Sequence, residues 1–246
     1  MDHISLRRPQ FFFTTAPMPC PYLPGRQERK VVTELSGVEA VMLHDSLSQA
    51  GFRRSHAIAY APACNGCSQC VPVRIDAEGF HFRQSFRRIL KRNADLKVRL
   101  VKAKATAEQF RLFSRYQESR HGGSDMAQMV YHDYRAMVED SPINTHLVEM
   151  RNADSHLVAT CLTDGLSDGF SAVYSFFDPE LPQRSLGTYS VLWLVGEARR
   201  LNLPYVYLGY WVAESRKMSY KGRFGPIEAF TPNGWQLLSE SQQQNT

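Results

Sequence analysis

Nothing in this 246-residue sequence approaches the roughly 20 consecutive apolar residues that a bilayer-spanning helix needs. Its longest apolar runs, such as Phe11 to Phe13 and Val191 to Val195, are far shorter, and no charged-then-apolar leader with a cleavage site opens the chain. A cytoplasmic protein with no membrane partner is expected. Cysteine is scarce and unevenly spaced, which excludes a secreted disulfide framework. Internal repeats are missing, and low complexity is confined to a short polar tail after Leu238. The 43% of hydrophobic residues suffices for a substantial core, arranged as one large domain or two small ones. The expected division is an N-terminal subdomain over residues 1–95, carrying a cysteine cluster, and a main domain over residues 96–246.

Charge excess is modest, 29 Lys+Arg against 24 Asp+Glu, and permits a polyanionic partner without establishing one. Its distribution is more informative. Arg83, Arg87, Arg88, Lys91, Arg92, Lys97, Arg99, Lys102 and Lys104 are opposed over that stretch only by Asp95. Such a run either holds phosphates or forms an ordinary solvated face.

Three of the five cysteines fall in Cys64-Asn-Gly-Cys67-Ser-Gln-Cys70, and Cys20 and Cys161 stand far off. Two intervening residues let neighbouring thiolates converge through a tight loop, and Gly66 relieves that turn. Cys64, Cys67 and Cys70 with Cys20 would complete a four-sulfur site for zinc or an iron–sulfur cluster. The other reading is a buried or redox-sensitive thiol cluster without metal.

Residues 1 to 30 carry Pro9, Pro17, Pro19, Pro21 and Pro24, so they read as an extended segment laid on the body of the protein. Ser36 and Glu39 suggest a capping box for a helix ending near Gly51. Strands are expected at His56–Tyr60 and Val71–Ile75, and a basic helix over Gln84–Asp95. After these come a strand at Lys97–Lys102, a helix capped by Thr106 and Gln109, and a helix near Tyr131–Glu139. Strands at Thr145–Arg151, His156–Thr163 and Gly169–Phe177, a helix at Tyr189–Leu201 and a strand at Tyr205–Leu208 complete a β-α-α-β-β-β-α-β series. That order is similar to the N-acetyltransferase (GNAT) fold. The fold class is therefore α/β of the α+β kind, a GNAT-like mixed sheet with flanking helices plus the small N-terminal cysteine-containing subdomain.

In acetyltransferases of that fold, a small-residue loop before the central helix presents backbone N–H groups to the coenzyme A pyrophosphate. Here the stretch is Arg184-Ser-Leu-Gly187-Thr188-Tyr189. A tyrosine in place of the second small residue would obstruct a pyrophosphate, which disfavours coenzyme A. Tyr189 either stacks on a base or ribose or packs in the core.

Several separated segments carry a further resemblance. Pro19-Cys-Pro-Tyr-Leu-Pro-Gly-Arg26, Cys67-Ser-Gln-Cys-Val-Pro-Val-Arg74, Ser185-Leu-Gly-Thr-Tyr-Ser190, Tyr207-Leu-Gly-Tyr-Trp211 and Lys217-Met-Ser-Tyr-Lys221 resemble signatures of the arginyl/leucyl-tRNA-protein transferases. The match spans roughly residues 10 to 232. The short form resembles the bacterial members that move leucine from Leu-tRNA to proteins beginning with Asp or Glu, marking them for N-end rule degradation. Arginine as donor is the alternative, and a non-catalytic nucleic-acid-binding protein built on the cysteine module is a rival of another class.

The resemblance implies acyl transfer from an already activated ester to a free α-amine, so no protein nucleophile and no cofactor are required, and aminoacyl-tRNA is the donor substrate. The enzyme must align amine and carbonyl, accept a proton and stabilise an oxyanion. Gly187, Thr188, Tyr189 and Ser190, with Lys217, Tyr220 and Lys221, are expected to bind the aminoacyl-tRNA. Lys217 and Lys221 would share one face of a helical turn toward phosphates. Arg87, Arg88 and Lys91 would add phosphate contacts, and Arg26, Arg29 and Arg74 are candidates for the acceptor's carboxylate. His121, beside two glycines, either deprotonates the amine or caps a helix. Tyr210 is the second catalytic candidate, and with Trp211 it would shape a pocket for the transferred side chain.

Overall fold

The computed structural model describes residues 9–238. In chain order its elements begin with β1 (Phe13–Thr14), β2 (Met18–Pro19), β3 (Gln27–Glu28), β4 (Lys30–Glu34), α1 (Ala40–Gln49), β5 (Arg53–Ser55), β6 (Ile58–Pro62), β7 (Val71–Asp76) and α2 (Gln84–Arg92). There follow β8 (Lys97–Lys102), α3 (Ala107–His121), α4 (Tyr131–Glu139), β9 (Thr145–Arg151), β10 (Leu157–Leu166) and β11 (Gly169–Phe177). Last come α5 (Leu186–Arg200), β12 (Tyr205–Trp211), β13 (Glu228–Thr231) and β14 (Gly234–Leu237).

Eight strands form one sheet in the order β14-β13-β7-β12-β11-β10-β9-β8, and β1-β4-β6-β5 form a second, smaller sheet, with β2 and β3 a separate hairpin. The strand–helix order from β8 onward is the expected GNAT-like series. Because β7 lies between β13 and β12, the large sheet takes in a strand from before residue 96.

Side chains alternate across a strand, so successive residues feed opposite layers. On β9, Leu147 enters the core beneath α3 and α4 with Phe113, Tyr134, Val138 and Phe176, whereas Val148 enters the core beneath α5 with Leu192, Leu194, Val195 and Val206. Each fully buried aliphatic or aromatic side chain contributes roughly 1.5–3 kcal/mol, so the two layers hold the sheet between them. Local signals set several boundaries. Thr106 Oγ1 accepts from the Gln109 N–H and Gln109 Oε1 accepts from the Thr106 N–H, a reciprocal cap that starts α3 where the sequence places it. The Ser36/Glu39 box does not form, since α1 starts at Ala40 with no side-chain cap. The β13–β14 hairpin was not anticipated, although Asn233-Gly234 marks its turn and Gly234 takes the left-handed conformation there.

Candidate active site

β11 and β12 are the one parallel pair among the described strands. They pair at Gly169–Tyr205, Phe170–Val206 and Ser171–Tyr207 and then part, although β11 continues to Phe177 and β12 to Trp211. The cause lies at Gly209, whose φ of +76° is costly for any residue with a Cβ. There the register of β12 on β7 shifts between Tyr207 and Gly209, a bulge that turns the strand away from β11.

Arg53 of β5 reaches from the small sheet into this opening. Its Nη1 donates to Ser171 Oγ at 2.9 Å, and its Nη2 donates to the Ala172 carbonyl at 2.6 Å and the Val173 carbonyl at 3.5 Å. A Cβ on residue 209 would stand 2.6 Å from Arg53 Nε, so glycine is required for close approach as well as for φ. The adjacent Arg54 anchors the same hairpin. Its Nε and Nη2 each donate to the Asp164 carboxylate at 2.8 Å, and Thr145 Oγ1 donates to Asp164 Oδ1 at 2.8 Å. His44 lies 3.7 Å from that carboxylate, and burial holds its imidazole below the usual range, with Asp164 opposing.

Beyond Gly209 the 3₁₀ turn Ser219–Phe224 covers the end of β12. Lys221 is buried there, and its Nζ donates to the Tyr210 carbonyl at 2.6 Å, with Met218 Sδ at 3.8 Å. Burial, aided by the Arg53 charge, lowers its ammonium to about 7. Lys217 is exposed and lies outside the 3₁₀ turn, so the two lysines do not share a solvent face, and phosphate contact by Lys221 is not what this geometry offers. Tyr220, between them, is 41% exposed, while burial around its hydroxyl raises it to about 12. Tyr210 is buried and its hydroxyl donates to the Tyr60 carbonyl at 3.0 Å, which makes it a wall of the site with a committed hydroxyl. Trp211 is a core residue whose Nε1 donates to the Ser219 carbonyl.

On the other side of Tyr210 lies a cavity of about 40 Å³, lined by Cys20, Cys64, Cys67 and Cys70 together with Arg26, Arg29, Tyr22 and Tyr60. Arg26 Nη1 donates to Cys67 Sγ at 3.5 Å, and the Arg29 N–H donates to Cys64 Sγ at 3.4 Å. Arg29 Nε is buried with no hydrogen-bond partner among the described residues. Burial and the three neighbouring thiols push the Cys70 thiol up to about 12. Four free thiols are chemically a donor set for a thiophilic ion. Among the described residues, however, no three His, Cys, Asp or Glu side chains stand where they could hold a metal ion. Cys161 lies apart, buried in the core of the large sheet.

Other candidates are placed differently from expectation. Arg74 is buried at the opposite end of β12, where Nε donates to Glu228 at 2.6 Å and Nη1 to Tyr207 Oη at 3.2 Å. Its guanidinium lies 3.4 Å from the Tyr205 ring centre and 4.4 Å from that of Trp235, so it is enclosed and not aimed at an acceptor. Tyr189 is 6% exposed and packs in the core, which removes it as a stacking platform. A Cβ at Gly187 would meet Phe177 Cε1 at 3.0 Å, so packing against Phe177 favours glycine there. Ser190 Oγ donates to the Leu186 carbonyl, and Thr188 is half-buried in the first turn of α5. Arg87, Arg88 and Lys91 are all exposed on α2, and Arg87 Nε also donates to the Phe82 carbonyl. That helix abuts the start of α5 through Asn93 Nδ2, which donates to the Arg184 carbonyl at 2.8 Å. His121 ends α3, and its side chain lies outside what the structure describes. Arg53 was missed from the sequence because the residue it meets, Gly209, is more than 150 positions away.

A splayed β-strand pair beside a helix N-terminus, with the Arg53 guanidinium in the opening and the buried Lys221 at the end of β12, is an arrangement suited to acyl transfer between bound substrates. The residue matches agree. Residues 18–88 match the family model described as arginine-tRNA-protein transferase, N terminus, and residues 108–231 match its C-terminus counterpart. The aspartate/glutamate leucyltransferase of Paramagnetospirillum magneticum is 64% identical over 97% of this chain and 98% of its own length. That of Rhodospirillum rubrum is 61% identical over 98% of each. Among solved structures, L-PGS from Bacillus licheniformis aligns with a TM-score of 0.47 at 9% identity, over 63% of this chain and 52% of that one. The chain belongs to the arginine-tRNA-protein transferase family, and it is a transferase that acts on aminoacyl-tRNA. Among the described residues no helix is long and apolar enough to cross a membrane.

Proposed function

We propose that this protein transfers leucine from Leu-tRNA to the free N-terminal amine of proteins that begin with Asp or Glu. The observation that carries this reading is the near full-length identity to relatives named for that activity. The opening between β11 and β12 accepts the aminoacyl ester. Arg88 and Lys91 on α2, exposed beside the start of α5, hold phosphates of the acceptor stem, and Lys217 adds a contact from the far side. Arg53 donors lie where negative charge develops on the ester carbonyl oxygen. Holding amine and carbonyl in line is worth roughly 7–11 kcal/mol in favourable cases, so positioning supplies much of the rate enhancement.

Arg26 and Arg29 read the acidic side chain of the acceptor. Support comes from their place on the thiol-lined cavity behind Tyr210 and from the buried Nε of Arg29, a donor with no acceptor among the described residues. Arginine as donor is a second reading, favoured by the description of the matching family model.

One assay tests these readings together. Purified protein is incubated with labelled Leu-tRNA or Arg-tRNA and peptides beginning with Asp, Glu or Ala, each also in N-acetylated form. Label from Leu-tRNA on the free Asp and Glu peptides alone is expected. Label from Arg-tRNA exchanges the donor, and label on acetylated peptides removes the amine as nucleophile.

A further inference from the structure

Lys221 has the wrong surroundings for a structural cation. Lys30 pairs with Glu28 at 2.9 Å, as lysines that keep a charge commonly do. Lys221 instead has a backbone carbonyl and a thioether for partners, and among the described residues it makes no ion pair. A neutral amine satisfies a carbonyl with one N–H and still keeps a lone pair. The residue sits against Tyr210, immediately past the Gly209 bulge, where β12 has already left β11.

The groups that face it come from three elements. Arg53 of β5 disfavours a second positive charge, Cys70 ahead of β7 favours it weakly, and β12 presents the Tyr210 carbonyl; burial outweighs them all. A buried lysine close to a guanidinium, bonded to the strand end that borders the opening and held by no carboxylate among the described residues, is an arrangement that lets lysine act as a base.

We propose that Lys221 is the proton acceptor for the attacking N-terminal amine, reached beside Tyr210 from the β11–β12 opening. This rests on the acyl-transfer reading above. The amine nitrogen bonds to the ester carbonyl carbon, and the proton it loses passes to Lys221 Nζ. The carbon–oxygen bond to the terminal ribose then breaks, and Nζ returns that proton to the ribose oxygen. The balance needs no further reactant.

The test is the single-turnover rate of leucyl transfer from enzyme saturated with Leu-tRNA, measured from pH 5.5 to 9 with an Asp-initiated peptide. Two groups must then be unprotonated, the peptide amine with its ordinary value of about 8 and Lys221. The acid limb of log rate should rise with slope two. Lys221→Met should reduce the rate by roughly 100-fold or more, leave a limb of slope one, and keep KM for Leu-tRNA. Arg53→Gln, which removes the neighbouring charge, should move the Lys221 limb to higher pH. A wild-type limb of slope one overturns the proposal. So does a Lys221→Met enzyme with the wild-type rate, or one that loses only Leu-tRNA affinity. If Lys221→Met does not fold, the wild-type slope and the Arg53→Gln midpoint decide. Failure of the wild type to transfer leucine at all would remove the functional reading itself, a separate outcome.

Discussion

The two ends of β12 each bury a cation, in opposite manners. At the Tyr205 end, Arg74 meets a carboxylate, a phenol and the faces of Tyr205 and Trp235, so its charge is compensated on every side. At the Trp211 end, Arg53 and Lys221 meet carbonyls, a hydroxyl and a thioether, and among the described residues no carboxylate is bonded to either. A compensated cation holds a fold together. An uncompensated one keeps its field for something that arrives, which on the proposed function is the ester carbonyl of an aminoacyl-tRNA.

The sharpest way to break the comparison is Gly209→Ala. The methyl group would displace the Arg53 guanidinium and strain the left-handed backbone, and a shift of about 1 Å in a positioning group costs roughly 100-fold in rate. Single-turnover transfer should show that loss, and an unaltered rate would mean that Arg53 is only a strut. Arg74→Met tests the other end. Breaking an ion pair with one buried partner and one partly exposed should cost about 2–3 kcal/mol in urea unfolding, with kcat retained. A fall in kcat without loss of stability would return Arg74 to the site.

Lys221 supplies a smaller test through pH. Its folded value of about 7 lies below the ordinary 10.5, so between these the unfolded chain binds the proton that the native one refuses. Stability should therefore rise with pH across that window, and the penalty is complete below 7. Lys221→Met lacks it, so its gain in Tm over wild type should be largest below pH 7 and fade toward pH 10.5. A gain independent of pH would indicate packing alone. The smallest effect belongs to the exposed face of α2. Replacing Arg88 and Lys91 by Ala should raise KM for aminoacyl-tRNA a few-fold and flatten its log–log salt dependence by about 2, leaving kcat in place. Loss confined to kcat would move α2 into the chemistry.

Much of this was readable in the chain. Hydrophobic periodicity and the Thr106–Gln109 cap located α3, alternation located β8 to β11, and the order of elements indicated the sheet. Asn233-Gly234 carries an equally local signal for the β13–β14 hairpin. The site was harder, because proximity in sequence misled. Lys217 and Lys221 suggested a shared helical face, yet a 3₁₀ turn begins between them and turns Lys221 inward. Tyr189 suggested a stacking platform, yet helix periodicity points it into the core.

By itself the sequence determined the local elements, the absence of long apolar runs and the clustered thiols, all of which depend on neighbours a few residues apart. Only the tertiary structure decided which cations are compensated. Whether Arg53, Arg74 or Lys221 meets a carboxylate depends on strands far apart in the chain, and desolvation is a property of the packed whole.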